Sequence, residues 1–223
     1  MDGDPILSLD ISGQEKVQAP FFFSDKFYLL ESLIKNRRSR RNFVLHPISS
    51  QDQQRLFKGL ALGWGDSRAC LGKVFPHLSL GMVCQNLQGR ENGIYLFSKN
   101  FSQIHLMKPG DFAPALSKVC LDQGWISRAG IIFLFLSDLD CLEKDRGPRG
   151  YREMMMRAGR MAQTIYIMAQ SLQIQSLPFG FLPFGACGVG AMYDFEAQAL
   201  LGLTPKTALV YALAFGPVAE AGG

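Results

Sequence analysis

The sequence has no long hydrophobic run and no strong excess of either charge. Its longest apolar stretch, Ala129 to Leu136, is far shorter than the about 20 residues that cross a bilayer, and it predicts a buried β-strand instead. The formal net charge of +4 suits a phosphate-bearing ligand but is too small to indicate a nucleic-acid partner. The sequence therefore predicts no membrane segment and no nucleic-acid binding.

Cysteine and histidine are also scarce. The five cysteines are scattered without a Cys-x-x-Cys pair and the three histidines are isolated, so we predict no metal site and no disulfide framework. Free thiols, and the absence of a basic and apolar leader at residues 1–5, favour a cytoplasmic location. The sequence also lacks a Walker-type phosphate loop and a serine-hydrolase elbow.

What is present is the composition of one globular domain. The chain has 223 residues, of which 48% are hydrophobic and 19% are charged. We predict an extended arm over residues 1–23 and a single domain over residues 24–223. The three phenylalanines at 21–23 either attach the arm to the body or to a partner subunit, or pack locally.

The clearest periodic pattern runs from Arg149 to Leu172 and predicts an amphipathic helix of about six turns. Its apolar side carries Met154, Ala158, Met161, Ala162, Ile165, Ala169 and Leu172. Its other side carries Arg149, Arg157 and Arg160, with Arg152 beside them. Because a helix start ordinarily favours acidic residues, these arginines need an anionic partner, a ligand or a solvated face. Four small residues on the helix, Ala158, Gly159, Ala162 and Ala169, allow another backbone to come close.

Shorter patterns predict the other elements. Predicted helices cover residues 24–36, 49–64, 111–122 and 194–202, with Ser49 or Ser50, Asp111 and Asp194 as N-caps and Gly202 as the end of the last one. Predicted strands cover residues 78–84 and 93–97, as a hairpin, and 129–136 and 207–215. We predict loops at 143–148, which is highly charged, and at 177–190, which is rich in Gly, Phe and Pro.

Four arginines surround one serine between Arg37 and Arg41. Such a run is either a solvated basic face or a phosphate site, in which planar guanidinium groups and a hydroxyl donor meet the anion. If the segment is extended, Arg37, Ser39 and Arg41 point the same way.

Four patches, taken in order, resemble the SagB-type branch of the nitroreductase flavoprotein superfamily. Residues 37–43 are similar to its R-R-S-x-R-x-[FY], and residues 70–76, before a strand and residues 93–95, to its S-A-G-A-R-[YH]-P. Residues 149–152 and 158–163 are similar to R-[GA]-Y-R and E-A-G-H-x-A-Q-N, and the last patch is 200–203 followed by 211–216. The order and spacing agree over about residues 27–217, nearly the whole chain.

The resemblance implies an α+β fold, in which a mixed, mainly antiparallel sheet is wrapped by helices. It implies a tight homodimer with one FMN at each of two sites between subunits, and it makes the long helix a principal part of the interface. The implied cofactor-binding positions are Arg37, Arg38, Ser39 and Arg41 at the phosphate, Cys70, Gly72 and Lys73 near the pyrimidine edge, and Gly188, Val189 and Gly190 near flavin N5. The phenylalanines of 179–184 form either core or an apolar wall over the flavin.

SagB-type proteins oxidise thiazolines and oxazolines to azoles in peptide natural products. The resemblance therefore implies an azoline oxidase or dehydrogenase whose peptide substrate arrives on a carrier protein, a synthetase module or a leader peptide. Two alternatives stay open. One is an NAD(P)H-dependent FMN reductase of the same fold, and the other is a non-catalytic flavoprotein subunit of a biosynthetic complex.

The chain departs from the family where proton transfer is expected. Asp145 and Arg146 stand at the family's Lys-Tyr pair, and Lys144 lies one position early. A carboxylate such as Asp145 can act as a base if desolvation raises its pKa, whereas an arginine binds an anionic substrate. Tyr151 is either a further acid or a structural hydroxyl. The candidate catalytic residues are thus Lys144, Asp145, Arg146 and Tyr151.

Overall fold

The computed structural model describes residues 33–64, 77–99, 101–176 and 180–219. The predicted arm, most of the predicted helix at 24–36, and three predicted cofactor-binding residues, Cys70, Gly72 and Lys73, lie outside these ranges.

The described residues form five α-helices, seven strands and one 3₁₀-helix, Gly124–Arg128, and residues 33–36 are also helical. The helices are α1 Ser50–Trp64, α2 Ala113–Val119, α3 Leu139–Arg146, α4 Arg149–Ser171 and α5 Asp194–Leu201. The strands are β1 Ser79–Cys84, β2 Gly93–Phe97, β3 Ile104–Pro109, β4 Ile131–Asp138, β5 Gln173–Ser176, β6 Gly180–Val189 and β7 Thr207–Pro217.

One seven-stranded sheet contains all these strands in the order β3-β2-β1-β4-β7-β6-β5. Every pairing between neighbouring strands is antiparallel, and Ser39 adds an isolated parallel bridge to Ala186 of β6. The predicted α+β class with a mainly antiparallel sheet is therefore confirmed. The predicted hairpin is confirmed, with Gly81 opposite Leu96 and Cys84 opposite Gly93. Strand β3 extends it and was not predicted.

Strand β4 lies in the middle of the sheet and is buried at all eight positions. Ile131, Phe133 and Phe135 belong to one core cluster, and the alternating Ile132 and Leu134 belong to another. Because successive side chains of a strand point to opposite faces, the two clusters lie on opposite sides of the sheet. This explains why the sequence of β4 is apolar without alternation.

Different helices cover the two faces. The cluster that contains Phe133 includes apolar residues of α1 and α4, and the cluster that contains Ile132 includes residues of α2, the 3₁₀-helix and α5. The predicted apolar side of the long helix is confirmed, since all seven of its residues, Met154, Ala158, Met161, Ala162, Ile165, Ala169 and Leu172, are buried. This helix fixes one layer of the domain.

Three of the four small residues of α4 allow close packing within the chain itself. Ala158, Ala162 and Ala169 are buried within the chain's own core, so they are not available to a partner subunit. Gly159 alone is exposed, and no atom lies within 4 Å of the place where its Cβ would be. Three of the four small residues therefore let the sheet and its neighbours approach the helix inside one chain.

Two predicted helix-end residues are confirmed and two are not. Asp111 accepts a hydrogen bond from the N–H of Ala113 at 3.3 Å, but it lies one residue before the N-cap of α2, which is Phe112. Ser49 caps α1, because its Oγ accepts a hydrogen bond from the backbone N–H of Asp52 at 3.1 Å. Gly202 ends α5 with a φ of 67°, which favours glycine. Asp194 is the first helical residue of α5 rather than its cap, which is Tyr193 without a side-chain hydrogen bond.

Most of the charged segment predicted as a loop, residues 143–146, belongs to the helix α3. The side chain of Asp138 accepts a hydrogen bond from the N–H of Cys141 at 2.9 Å and caps this helix, and Leu142 is buried. Gly147 ends it with a φ of 60°. The prediction was wrong because Glu, Lys and Arg are good helix formers, and one buried leucine is enough to hold a short helix on the core.

The second predicted loop, residues 177–190, is also wrong, because most of it is strand β6 between β5 and β7. Its glycines reflect packing and not a turn. A Cβ at Gly185 would meet the side chains of Arg40 and Val218, and a Cβ at Gly188 would fall on the hydroxyl oxygen of Tyr211. Glycine allows these side chains to lie directly on the strand.

Asp138→Ala tests the cap of α3. The substitution removes the side-chain acceptor for the N–H of Cys141, so we expect the free energy of unfolding to fall by about 1 kcal/mol. Asp140→Ala is the matched control, since Asp140 is exposed and only 4.0 Å from Lys206 in an exposed pair. Urea unfolding measures both, and equal losses for the two variants would contradict the assignment.

Candidate functional site

The arginine-rich segment lies along strand β6. Ser39 forms an isolated parallel bridge with Ala186, and the backbone N–H of Arg40 donates to the carbonyl of Ala186 at 3.0 Å. Four residues later, Phe43 bridges to Val218 just beyond the end of β7. The sheet therefore fixes the backbone of residues 39–43, and the side chains of the segment project from a rigid support.

Tyr166 on α4 joins three of the predicted cofactor-binding residues. The guanidinium carbon of Arg37 lies 5.1 Å from the centre of the Tyr166 ring, in a cation–π arrangement. The hydroxyl of Tyr166 lies 3.3 Å from Ser39 Oγ and accepts a hydrogen bond from the N–H of Gly188 at 2.8 Å. Arg37, Ser39 and Gly188, which are far apart in sequence, thus meet at one side chain that the sequence analysis did not identify.

Arg41 does not share this environment. Its guanidinium lies 5.5 Å from the ring centre of Trp125, a residue packed against the core cluster on the other side of the sheet. The prediction that Arg37, Ser39 and Arg41 point the same way is therefore wrong for Arg41. Arg38 is exposed and donates to the carbonyls of Lys35 and Arg37, both at 2.9 Å.

The segment concentrates positive charge without compensating acids. Within the part of the chain that the structure describes, Arg37, Arg38, Arg40 and Arg41 form no ion pair with a carboxylate. The Nε of Arg40 is buried and has no hydrogen-bond partner among the described residues. Since a buried unsatisfied donor is costly, these groups suit an anion that accepts several hydrogen bonds, such as a phosphate.

Gly188 and Val189 lie in β6 rather than in the predicted turn, opposite Leu213 and Ala212 of β7. The N–H of Gly188 already donates to Tyr166, so it is not a free donor for a ligand. Gly190 follows the strand and is exposed. Of the three residues predicted near flavin N5, Gly190 keeps the irregular, accessible backbone that such a contact requires.

A second tyrosine hydroxyl contacts Gly188 from β7. Burial, followed by the proximity of Tyr166 and Cys187, raises the pKa of Tyr211 to about 12. Tyr211 is therefore neutral at physiological pH. Its ring packs edge-on against Phe135, with ring centres 5.6 Å apart. The two tyrosines hold the backbone of Gly188 between them.

The candidate catalytic residues lie elsewhere, around the start of α4. A carboxylate oxygen of Asp145 lies 2.8 Å from His77 Nε2 and 3.0 Å from Arg146 Nε. The hydrogen bond from His77, together with Arg146, lowers the pKa of Asp145 below its ordinary value. The condition under which Asp145 would be a base, a pKa raised by desolvation, is not met, because the side chain is about half exposed and its partners stabilise the charged form.

The other three candidates are also accessible. Arg146 lies 3.9 Å from Glu153 in addition to its contact with Asp145. Lys144 and Tyr151 are exposed, and their side chains form no hydrogen bond or ion pair within the described ranges. Asp145 and Arg146 thus form one cluster with His77 and Glu153, and Lys144 and Tyr151 flank it.

One chain does not bring the two groups of candidate residues together. Seventeen residues of α4 separate Arg149 from Tyr166, which corresponds to about 25 Å along the helix axis. The group around Tyr166, which we call the phosphate-type group, lies toward the end of the helix. The candidate catalytic residues lie at its beginning.

Other kinds of site are not found in the described residues. No group of three or more His, Cys, Asp or Glu there is arranged to hold a metal ion, and no helix there is both long and apolar enough to cross a membrane. Cys84, Cys120, Cys141 and Cys187 are free thiols, and burial raises the pKa of Cys84 and of Cys120 to about 11.

Comparison with known proteins defines the class. The model of the nitroreductase family matches residues 34–217. The chain belongs to the nitroreductase family, which confirms the predicted fold and, at the level of the family, the predicted oxidoreductase class.

Individual relatives agree with this assignment. A protein of Methanocaldococcus jannaschii whose name places it among the nitroreductases is 26% identical over 177 residues, or 77% of this chain and 83% of that protein. A crystal structure from Anabaena variabilis, also described as a nitroreductase, matches with a TM-score of 0.79 and 20% identity and covers 96% of this chain. This chain spans only 45% of the length of that protein.

A further structural neighbour is the NADPH:FMN oxidoreductase of Vibrio harveyi in complex with NAD⁺. It matches with a TM-score of 0.58 and 16% identity, over 86% of this chain and 70% of the other. At such identities the likeness shows the fold.

Gly188→Ala tests the packing of the two tyrosines on β6. The new Cβ would overlap the Tyr211 hydroxyl, so we expect the free energy of unfolding to fall by about 1–3 kcal/mol. Gly190→Ala is the control, because its Cβ would lie 3.9 Å from the nearest Tyr211 atoms, an ordinary contact. Comparable losses in thermal unfolding for both variants would show that the contact at Gly188 is not tight.

Asp145→Asn tests the charge of the cluster at the start of α4. Because the folded-state pKa of Asp145 lies below its ordinary value of 3.8, its stabilising effect is present above pH 3.8 and is lost as the pH falls through the folded pKa. We expect wild type to be more stable than Asp145→Asn at about pH 6, and the difference to vanish at about pH 2. Urea unfolding over this range measures it, and a difference independent of pH would contradict the ion-pair account.

Proposed function

We propose that the chain is an FMN-dependent oxidoreductase that removes a hydride from a thiazoline or oxazoline ring of a peptide. The observation that carries the cofactor assignment is the arginine segment on β6. Among the described residues, its guanidinium groups have no carboxylate partner and one buried N–H has no acceptor, and it also presents one serine hydroxyl on a rigid backbone. A phosphate monoester such as that of FMN matches this donor set, since guanidinium groups bind phosphate oxygens in pairs.

The contacts of the arginine segment and the family resemblance together indicate which residues would hold FMN. Arg37, Arg38 and Ser39 would bind the phosphate, and Arg40 joins them because its Nε lacks a partner in the described part of the chain. Arg41 stays a prediction for this site, since its guanidinium lies against Trp125. Gly190 would offer its backbone near the flavin ring. Cys70, Gly72 and Lys73 stay predictions for the pyrimidine edge. When bound, FMN supplies the chemistry of hydride acceptance and of electron return to a second acceptor.

The azoline substrate is supported by the four patches shared with SagB-type proteins. In this proposal Asp145 stays ionised and does not take the proton from the ring carbon, because its low pKa makes it a weak base. We propose that Lys144 or Tyr151 relays this proton to solvent, releasing its own proton to water as it accepts the one from the ring, and both side chains are accessible. Arg146 binds an anionic part of the peptide or its carrier. SagB-type proteins receive their substrates on a carrier protein or leader peptide, and we propose the same delivery here.

We further propose that the active unit is a homodimer. The side of α4 that faces away from the core exposes Tyr151 and Met156, at 57% and 69%, and the bare backbone of Gly159. A second copy on this side would cover them. It would also offer a means to place the start of one α4 near the phosphate-type group of the other chain, which the about 25 Å within one helix does not allow.

A second candidate is an NAD(P)H-dependent flavin reductase of the same fold. It is favoured by the names of the relatives, in particular the NADPH:FMN oxidoreductase of Vibrio harveyi, and by the lost Lys-Tyr pair. It differs from the azoline oxidase in the direction of electron flow.

One experiment separates these candidates. We expect the purified chain to take up FMN on titration, and a thiazoline-containing peptide to bleach the bound flavin under anaerobic conditions, whereas NADPH does not. Lys144→Ala should lower this rate by about 10²-fold without loss of FMN, since it removes a proton-transfer group. Lys118→Ala, an exposed lysine on the opposite face of the sheet, is the control.

The outcomes are distinct. Protein that takes up no FMN contradicts the cofactor assignment. Bleaching by NADPH but not by the thiazoline peptide identifies the reductase. Unchanged thiazoline oxidation in Lys144→Ala and in Tyr151→Phe would remove both residues from the mechanism.

A further inference from the structure

We propose that Tyr166 is a positioning residue that makes this chain prefer the phosphate-bearing form of its cofactor, FMN, over riboflavin. The inference rests on the proposed function and deepens it. Tyr166 itself would not touch the phosphate. It acts through Arg37 and Ser39, the two residues of the arginine segment that it contacts.

The hydroxyl of Tyr166 is the first of two groups through which this residue orients phosphate donors. The Tyr166 hydroxyl accepts the N–H of Gly188 at 2.8 Å, so its own proton points away from that bond. Ser39 Oγ lies 3.3 Å away, and either oxygen can be the donor in this pair. If Tyr166 donates, Ser39 keeps its O–H for an external acceptor. An anion beside Ser39 selects this arrangement, because a hydrogen bond to a charged oxygen is about twice as strong as a neutral one.

The resulting chain of donors runs from Gly188 N–H through Tyr166 O–H to Ser39 O–H. Each bond polarises the next in the same direction, so the terminal serine becomes a better donor than an isolated one. The backbone at the start of the chain is fixed, since Gly188 belongs to β6 and is paired with Leu213 of β7. Ser39 is exposed, as a residue that meets a ligand must be.

The aromatic ring of Tyr166 is the second group, and it orients Arg37. It lies under the guanidinium of Arg37 at 5.1 Å and limits the orientations of that side chain, while the N–H groups at the guanidinium edge stay directed outward. A guanidinium held in one plane loses less entropy when it binds a phosphate. The hydroxyl and the ring of one residue therefore orient two separate phosphate donors.

Tyr211 provides a matched comparison. Its hydroxyl also contacts Gly188, from the neighbouring strand, but it forms no hydrogen bond with Ser39 in the described part of the chain. If contact with Gly188 alone were important, Tyr166 and Tyr211 would be equivalent. If the link to Ser39 is important, only Tyr166 influences the phosphate.

The test compares the dissociation constants of FMN and riboflavin for wild type, Tyr166→Phe and Tyr211→Phe. We expect Tyr166→Phe to weaken FMN about tenfold and riboflavin less than about twofold, because the ring over Arg37 remains and only the hydroxyl chain to the phosphate donor is lost. Tyr211→Phe should leave the ratio of the two constants unchanged. Tyr166→Phe combined with Ser39→Ala should be no weaker toward FMN than Ser39→Ala alone, since Tyr166 acts through Ser39.

An equal loss of FMN and riboflavin affinity in Tyr166→Phe would overturn the inference, because it would show a structural role only. The same conclusion would follow from an equal change of the ratio in Tyr211→Phe.

The affinity for inorganic phosphate, measured by competition or by amide chemical shifts at Ser39, separates this inference from the proposed function. Protein that binds no flavin but loses phosphate affinity in Tyr166→Phe would overturn the proposed function and keep the role of Tyr166. No change in phosphate or FMN affinity would overturn that role.

Discussion

The burial of β4 on both faces is the constraint on which the rest of the structure depends. A strand whose eight residues are all buried needs a layer of helices on each side of the sheet. The alternation of Phe133 and Ile132 between two core clusters shows how one apolar strand supplies both layers. Because α4 forms part of one layer, its orientation is fixed by its buried side. The packing of this buried side therefore also fixes the positions of the other side chains of α4, including Tyr166.

Tyr166 is half-buried, and its position between core and surface explains what it does. Its ring packs against the core cluster of α4, and its hydroxyl reaches polar groups of β6 and of the arginine segment. That segment follows β6, so the sheet and α4 together hold cationic side chains whose mutual repulsion would otherwise spread them. The positive charge is concentrated by the fold without carboxylates among the described residues, and an anionic ligand lowers its electrostatic energy.

Sequence patterns predicted the elements whose signals are local. The long helix and β1 follow from apolar periodicity, β4 from a continuous apolar run, and Ser49 and Gly202 from cap chemistry. Strand β6 was missed because its glycines resemble a loop, whereas Gly185 and Gly188 make room for side chains from distant segments. The pattern of the arginine segment allowed a solvated face or a phosphate site, and only the family resemblance implied the phosphate. Its partner Tyr166 lies 127 residues from Ser39 and carries no signal of its own. Similarly, the low pKa of Asp145 depends on His77, a contact that only the folded chain creates.

The two ends of α4 differ in how their cations are paired, and this bears on how the site is completed. At the beginning, Arg146 and Arg157 form ion pairs with Asp145 and Glu153, while Arg149 and Arg152 are exposed to solvent. Near Tyr166, the cations of the arginine segment are not matched by acids of the described residues. A phosphate therefore gains most at the second end, and the side chains suited to proton transfer stand at the first. A rigid helix keeps these ends about 25 Å apart, which is the separation that the proposed homodimer would bridge through the exposed side of α4.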